Sequence, residues 1–341
     1  MSTSSLSNRR YTLKARPEGP PDRSHFELRE APVREPGDGE VLVRTRYLSV
    51  DPTNRLWMSD MKQYMPPVNQ GEVMRAVGVG VVERSRHPDY NAGDLVSGLL
   101  GWQDYNVAAP GELALTRLPA LDVPLGAFLC PLHITGGFTA YVGLFDIAQP
   151  RPGETIVVSA AAGSVGSLVG QMGKIAGCRV VGIAGSDAGC RYVTEELGFD
   201  ACINYRTEDV AAALDRACPN GVDIDFENAG GDILDTVLDK MNLFGRVTVC
   251  GLISTYNDKQ PRPGPVRFPL ILMQRLRVQG FVILDHQARF PEAFEKIYGW
   301  IKEGRITWRE RVVEGLENAP DALAMLFQPN KIGKLLIKVS E

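Results

Sequence analysis

None of the six cysteines, Cys130, Cys178, Cys190, Cys202, Cys218 and Cys250, belongs to a Cys-x-x-Cys pair. That absence removes zinc-ribbon and thioredoxin-type motifs, and a chain of 341 residues has no need of a disulfide scaffold. Histidine is scarce. His25, His87, His133 and His286 show no paired spacing, so each reads as an isolated residue and no metal site is expected. There is no Gly-x-Ser-x-Gly elbow, which leaves serine-hydrolase chemistry without support. Neither sign of charge dominates: 37 basic against 41 acidic residues leave a net charge of -4. With no basic run above background, nucleic acid is not an expected partner. No apolar run approaches the length of a membrane span, and Met1 to Arg10 is polar. The expectation is a cytoplasmic protein with neither leader nor membrane association. Asp223, Asp225 and Glu227 alternate along one face of a predicted strand, but one strand does not supply convergent ligands. They read as a solvated or helix-facing edge.

What is present is an ordinary globular composition, 44% hydrophobic and 23% charged, in a length that suits two domains. Up to about residue 125 the chain reads as short strands punctuated by Pro and Gly: 40–48, 78–83 and 94–98. Antiparallel structure, a β-barrel, is the reading. Beyond it the period changes. A helix is predicted over 134–145, then strands over 154–159, 179–184, 201–205, 222–227 and 246–251. Helices over 165–176, 187–197, 208–218 and 233–241 separate them. That alternation predicts a doubly wound parallel sheet, hence an α/β fold. A helix over 290–303, a strand over 308–313, a further helix and a strand over 334–339 follow, a tail that returns to the first domain.

The chemistry is concentrated in Ile156 to Gly166. It reads as a buried strand, a small-residue turn and the opening of a helix. Ala161-Ala162-Gly163-Ser164-Val165-Gly166 is a one-residue variant of Gly-x-Gly-x-x-Gly. Small residues let the backbone approach a pyrophosphate, and the last glycine allows close helix–strand packing. The helix N-terminus adds unpaired N–H donors. The next strand ends in Gly185-Ser186, where an NAD-preferring site places an acid. Without that acid a 2′-phosphate meets no fixed negative charge. The Ser186 hydroxyl can donate to it, and Arg191 lies one turn on. NADP(H) is the expected cofactor.

The order of these features resembles the medium-chain dehydrogenase/reductase superfamily over nearly the whole chain. Asp51-Pro52, Tyr64-x-Pro66-Pro67, Gly71 to Met74, the turn, Phe226 to Gly231 and Gly251 to Asn257 fall in family order. Within it the chain is similar to the zinc-independent leukotriene B4 dehydrogenase / prostaglandin reductase group, with its curcumin reductases and plant double-bond reductases. The resemblance implies a GroES-like β-barrel substrate domain over 1–127 and 297–341 and a Rossmann domain over 128–296. Where zinc alcohol dehydrogenases carry a Cys ligand and a Gly-His-Glu, this chain has Ser49-Val50-Asp51-Pro52 and Gln70-Gly71-Glu72-Val73, and residues 94–112 contain no Cys. Without those ligands no Lewis acid polarises an alcohol, which favours reduction of an activated double bond.

Carried over residue by residue, the resemblance implies that Ala161 to Gly166 hold the pyrophosphate and that Ser186 and Tyr205 approach the 2′-phosphate and adenosine. Asn228, Cys250, Ser254, Tyr256, Phe281, Ile283 and Asn330 would surround the ribose and nicotinamide. Two positions depart from the family. Gly189 stands where relatives carry a lysine for the 2′-phosphate, and Thr53 where they carry a tyrosine.

The expected reaction is hydride transfer to the β-carbon of an α,β-unsaturated ketone or aldehyde, with Tyr256 and Tyr64 as candidates for orienting the carbonyl or relaying the proton. Quinone reduction is the alternative on the same scaffold. A cofactor-binding protein without turnover is a third reading. The group forms homodimers through edge strands, for which Phe281 to Leu284 is the candidate.

Overall fold

The structure is a computed structural model and describes residues 6–260 and 262–341. The first residues of the polar N-terminal stretch lie outside them. Contacts divide the chain into two compact units, residues 6–129 with 310–327 and 335–341, and residues 130–309 with 328–334.

The first unit opens with the hairpin β1 (Ser7–Leu13) and β2 (Phe26–Pro32). The strand β3 (Val41–Ser49) follows, then the one-turn helix α1 (Pro52–Trp57). The strands β4 (Gly78–Ser85), β5 (Leu95–Gly98), β6 (Tyr105–Ala108) and β7 (Thr116–Arg117) complete its first pass. The central strand β3 pairs antiparallel with both β4 and β6. Val41, Val43, Leu48, Val82, Val96 and Leu100 form its core with Trp102.

The second unit runs from α2 (Gly137–Tyr141) through β8 (Thr155–Ser159), α3 (Ser164–Ile175), β9 (Arg179–Ala184) and α4 (Asp187–Arg191). It continues through β10 (Ala201–Asn204), α5 (Val210–Ala217), β11 (Val222–Glu227), α6 (Gly231–Leu238) and β12 (Met241–Val249). It closes with α7 (Pro269–Met273), β13 (Arg277–Gly280) and α8 (Phe290–Lys302). Its six strands lie parallel in the order β10-β9-β8-β11-β12-β13. β8 is buried at every position, as expected of a strand covered on both faces. The chain then returns to the first unit with β14 (Glu310–Glu314), α9 (Ala319–Met325) and β15 (Lys334–Lys338). β15 pairs antiparallel with β3, Leu336 opposite Ser49.

The sequence reading is corrected in three places. The return to the first unit falls at residue 310, not 297. α8 is held in the second unit by rings: Phe290 lies 5.3 Å from Phe138 and Trp300 6.2 Å from Tyr141. Residues 328–334 also stay there, because Gly333 N–H donates to the Ala162 carbonyl at 2.8 Å. Second, Phe281 to Leu284 is not a strand. The edge strand is β13, which ends at Gly280, and a 3-10 turn starts at Ile283. Third, Asp225 and Glu227 are not solvated: both are fully buried, while Asp223 is partly exposed.

Candidate functional site

Parallel strands bring all their C-terminal ends to one edge of the sheet, and the strand order reverses direction at β8. That crevice is where doubly wound folds bind ligands. After β8 the backbone turns sharply, with Ala160 in the left-handed region at φ 49°. Ala161 N–H donates to the Ile183 carbonyl and Gly163 N–H to the Ala160 carbonyl, both at 3.0 Å. Ala161 and Ala162 are buried. Gly163 caps α3, whose first residues are Ser164 and Val165. A β-carbon at Gly166 would lie 2.6 Å from the Ala160 carbonyl oxygen and 2.9 Å from Ala161 Cα. Only glycine lets the helix approach the strand this closely. The Ser164 hydroxyl faces the Thr135 carbonyl at 3.4 Å and Cys130 Sγ at 3.6 Å.

At the tip of β9, Ser186 caps α4. Its Oγ accepts from Gly189 N–H at 3.1 Å, which leaves the hydroxyl proton to serve as a donor. Gly185 is flanked by Tyr205: a β-carbon there would lie 3.1 Å from the Tyr205 Oη and 3.2 Å from the Pro329 carbonyl. So Gly185, Ser186, Tyr205 and the 328–334 segment meet at one corner. Arg191 is exposed in the last turn of α4. A β-carbon at Gly189 would lie 3.2 Å from both Ala162 Cβ and Ser186 Oγ, so that position faces the corner without contributing charge.

On the other half of the sheet, the ends of β11 and β12 are knitted together. Asn228 donates its backbone N–H to Ser159 Oγ at 2.7 Å and its Nδ2 to the Ser159 carbonyl at 2.9 Å. Cys250 N–H donates to the Glu227 carbonyl at 2.9 Å and Ser254 N–H to the Ala229 carbonyl at 2.9 Å. The Tyr256 Oη accepts from Leu252 N–H at 3.1 Å, which fixes the phenol over its own loop. Burial pushes the Cys250 thiol up to about 12, so it is neutral and unreactive. Phe281 follows the end of β13, whose Gly280 is level with Val249, and Ile283 lies two residues on. Asn330 is exposed in the 328–334 segment, three residues before the Gly333 bridge to Gly163. In the first unit, Tyr64 shares a short hydrogen bond with Thr53 Oγ1, at the position where the family pattern is broken. Desolvation raises its phenol above the usual value.

Sequence reasoning missed the device that joins the two halves. Glu227, fully buried, accepts from Ser159 Oγ at 2.7 Å, from Gly230 N–H at 2.7 Å and from Ala229 N–H. Burial raises its pKa, offset in part by these donors. Gly230 and Gly231 follow, both at positive φ, and open α6. The signal was a carboxylate followed by Asn-Ala-Gly-Gly, an acceptor placed before a turn of exposed N–H groups. Lys331 is a second omission: burial lowers its ammonium to about 8. Among the described residues no three His, Cys, Asp or Glu side chains converge on a point.

The turn fits a dinucleotide. Gly166 is demanded by contact, the tip of β9 carries a hydroxyl in place of an acid, and a buried network orders the far half. The fold and this crevice define a medium-chain oxidoreductase. Residues 9–115 match the profile of an N-terminal domain of oxidoreductase, and residues 164–298 that of a zinc-binding dehydrogenase. The chain is 46% identical to an NADPH-dependent curcumin reductase of Escherichia coli, covering 98% of this chain and 97% of the relative. It is 39% identical to a 2-alkenal reductase (NADP(+)-dependent) of Nicotiana tabacum, over 98% of each. Among solved structures, CurA from Vibrio vulnificus in complex with NADPH superposes with a TM-score of 0.92 at 40% identity, covering 98% and 99% of the two chains. The chain belongs to the zinc-independent double-bond reductase group of the medium-chain dehydrogenases/reductases.

Proposed function

We propose that this protein reduces the carbon–carbon double bond of α,β-unsaturated ketones and aldehydes with NADPH, without a metal. The observation that carries the reading is the acid-free corner at Gly185-Ser186, set beside a turn that admits a pyrophosphate. The relatives' names, curcumin reductase and 2-alkenal reductase, support the substrate class.

In this reading Ala161 to Gly166 hold the pyrophosphate: the small residues Ala161 to Gly163 let it approach, and the first turn of α3, Ser164 to Gly166, presents its backbone N–H groups. Ser186 donates to the 2′-phosphate, Tyr205 borders the adenosine, and Arg191 contributes positive charge at longer range. Asn228, Cys250, Ser254, Phe281, Ile283 and Asn330 shape the nicotinamide end. Bound NADPH supplies the hydride that adds to the β-carbon of the substrate. The chain's own part is to hold the carbonyl oxygen and deliver a proton to the α-carbon. Tyr256 and Tyr64 are the candidates, because a phenol is a weak acid that keeps its proton at neutral pH and can donate it. Leu252 N–H on the Tyr256 oxygen polarises that phenol toward donation.

The test pairs kinetics on a linear enal and a quinone with the variant Tyr256→Phe. The enal is expected to be the better substrate, and the variant to lose on the order of 10² in kcat, the usual weight of a general acid. Full turnover by Tyr256→Phe removes that residue from the chemistry. Preference for the quinone replaces the proposed substrate class. NADPH binding without turnover of either would leave a non-catalytic protein.

The same reading takes the protein as a cytoplasmic homodimer joined through the cofactor-domain sheet. β13 ends that sheet with an unpaired edge, and all four of its residues are exposed.

A further inference from the structure

Cys190 lies in α4 and Cys202 in β10, and their Sγ atoms are 2.8 Å apart. Both are partly exposed. They join the two elements that carry the adenosine corner: α4 starts from the Ser186 cap, and β10 runs directly into Tyr205. A second link spans the same elements, Asn204 Nδ2 to Asp187 Oδ1 at 2.6 Å. The buried face of α4 turns toward the phosphate turn at Gly189, where an added β-carbon would lie 3.2 Å from Ala162 Cβ.

We infer that Cys190 and Cys202 are a peroxide-oxidised thiol pair whose disulfide weakens NADP(H) binding. The inference rests on the placement of the adenosine phosphate at Ser186. Cys190 supplies the nucleophile: the Cys202 thiol donates a hydrogen bond to it and lowers its pKa, while the same bond and burial raise that of Cys202. The Cys190 thiolate attacks one peroxide oxygen and breaks the O–O bond, giving a sulfenic acid and, after one proton is taken up, water. The Cys202 sulfur then attacks the Cys190 sulfur. The S–O bond breaks, and hydroxide leaves as water with the Cys202 proton. Two thiols lose two electrons and two protons, and one hydroperoxide oxygen pair becomes two waters. Cys178, Cys218 and Cys250 are pushed up to about 11, 11 and 12 by burial and do not compete. Bond formation draws α4 toward β10 and away from Ala162, which shifts the Ser186 cap.

The test treats the full chain with hydrogen peroxide, maps its peptides by mass, and measures NADPH kinetics before oxidation, after it, and after dithiothreitol. A Cys190–Cys202 linked peptide is expected, with KM for NADPH raised on the order of tenfold, an ordinary coupling between two sites. The kcat at saturating NADPH is kept, and dithiothreitol reverses both changes. Cys190→Ser and Cys202→Ser are expected to hold KM constant through the same treatment. No linked peptide, or a linked peptide with unchanged KM, overturns the inference. Ser186→Ala in the reduced protein tests the underlying placement separately: an unchanged KM for NADPH there refutes the corner as the phosphate site, whatever the thiols do.

Discussion

At position 166 a side chain has nowhere to go, because the obstructing atoms are backbone. A methyl group 2.6 Å from the Ala160 carbonyl oxygen displaces either the turn or α3. Gly166→Ala is expected to cost about 1–3 kcal/mol of stability, as overpacking does, and to raise KM for NADPH. Denaturant melts and initial rates check both, and a variant with normal stability and KM contradicts the close approach. Asp225 invites the opposite experiment. It is fully buried beside Glu227, and neither of its oxygens meets a hydrogen-bond donor among the described residues. Burial first, and Glu227 second, raise its pKa well above the usual carboxylate value. A carboxyl raised on folding keeps its proton in the native state while the unfolded chain releases it. Its contribution to stability is therefore full below the ordinary Asp pKa and is lost as pH rises toward the native value. Asp225→Asn cannot ionise, so it is expected to raise Tm at pH 8 and to change it far less at pH 4. An equal shift at both pH values, or a loss at pH 8, refutes this account.

At the scale of elements, the parts governed by local chemistry were legible. β8, the turn and α3 are announced by Ile156 to Gly166. Elements shaped by distant partners were not. The helix expected over 134–145 is α2 followed by a wider π-type turn over Val142–Ala148, ended by Gln149 at φ 55°. Gly143 explains the change: a β-carbon there would lie 2.8 Å from the rings of Phe226 and Phe281, so this segment is pressed against two strand ends. No spacing rule reports that pressure. Glu227 shows the same limit. Alternation with Asp223 and Asp225 suggested a solvated or helix-facing edge, whereas β11 sits in the middle of the sheet between β8 and β12. Strand position in a sheet is a long-range property, and it decides whether an alternating carboxylate is solvated or buried. Glu227→Ala is expected to destabilise by on the order of 3 kcal/mol, since it strands buried donors from Ser159, Ala229 and Gly230. Glu227→Gln retains one acceptor and should recover part of that loss in thermal melts.

At the scale of the whole molecule, several of the exposed apolar residues gather at one edge of the parallel sheet. Val278 of β13 (43% exposed), Leu272 and Met273 of α7 (72% and 60%) and Phe244 of β12 (66%) come from the edge strand, the helix just before it and the strand beside it. An apolar, unpaired edge is a surface that soluble proteins cover. On the homodimer reading, Val278→Lys is expected to shift the protein to monomer in sedimentation at micromolar concentration. A native chain already monomeric there removes the dimer. β15 carries a consequence of another kind. Its pairing with β3 joins residues from opposite ends of the described chain, so the first sheet cannot finish until the whole second unit has been made. On a ribosome the Tyr47–Ser49 end of the β3 edge, beyond the stretch that β6 covers, waits open while the parallel sheet forms. During synthesis, then, the first unit is the vulnerable one, and proteases or chaperones that meet the nascent chain will find it at this end of β3.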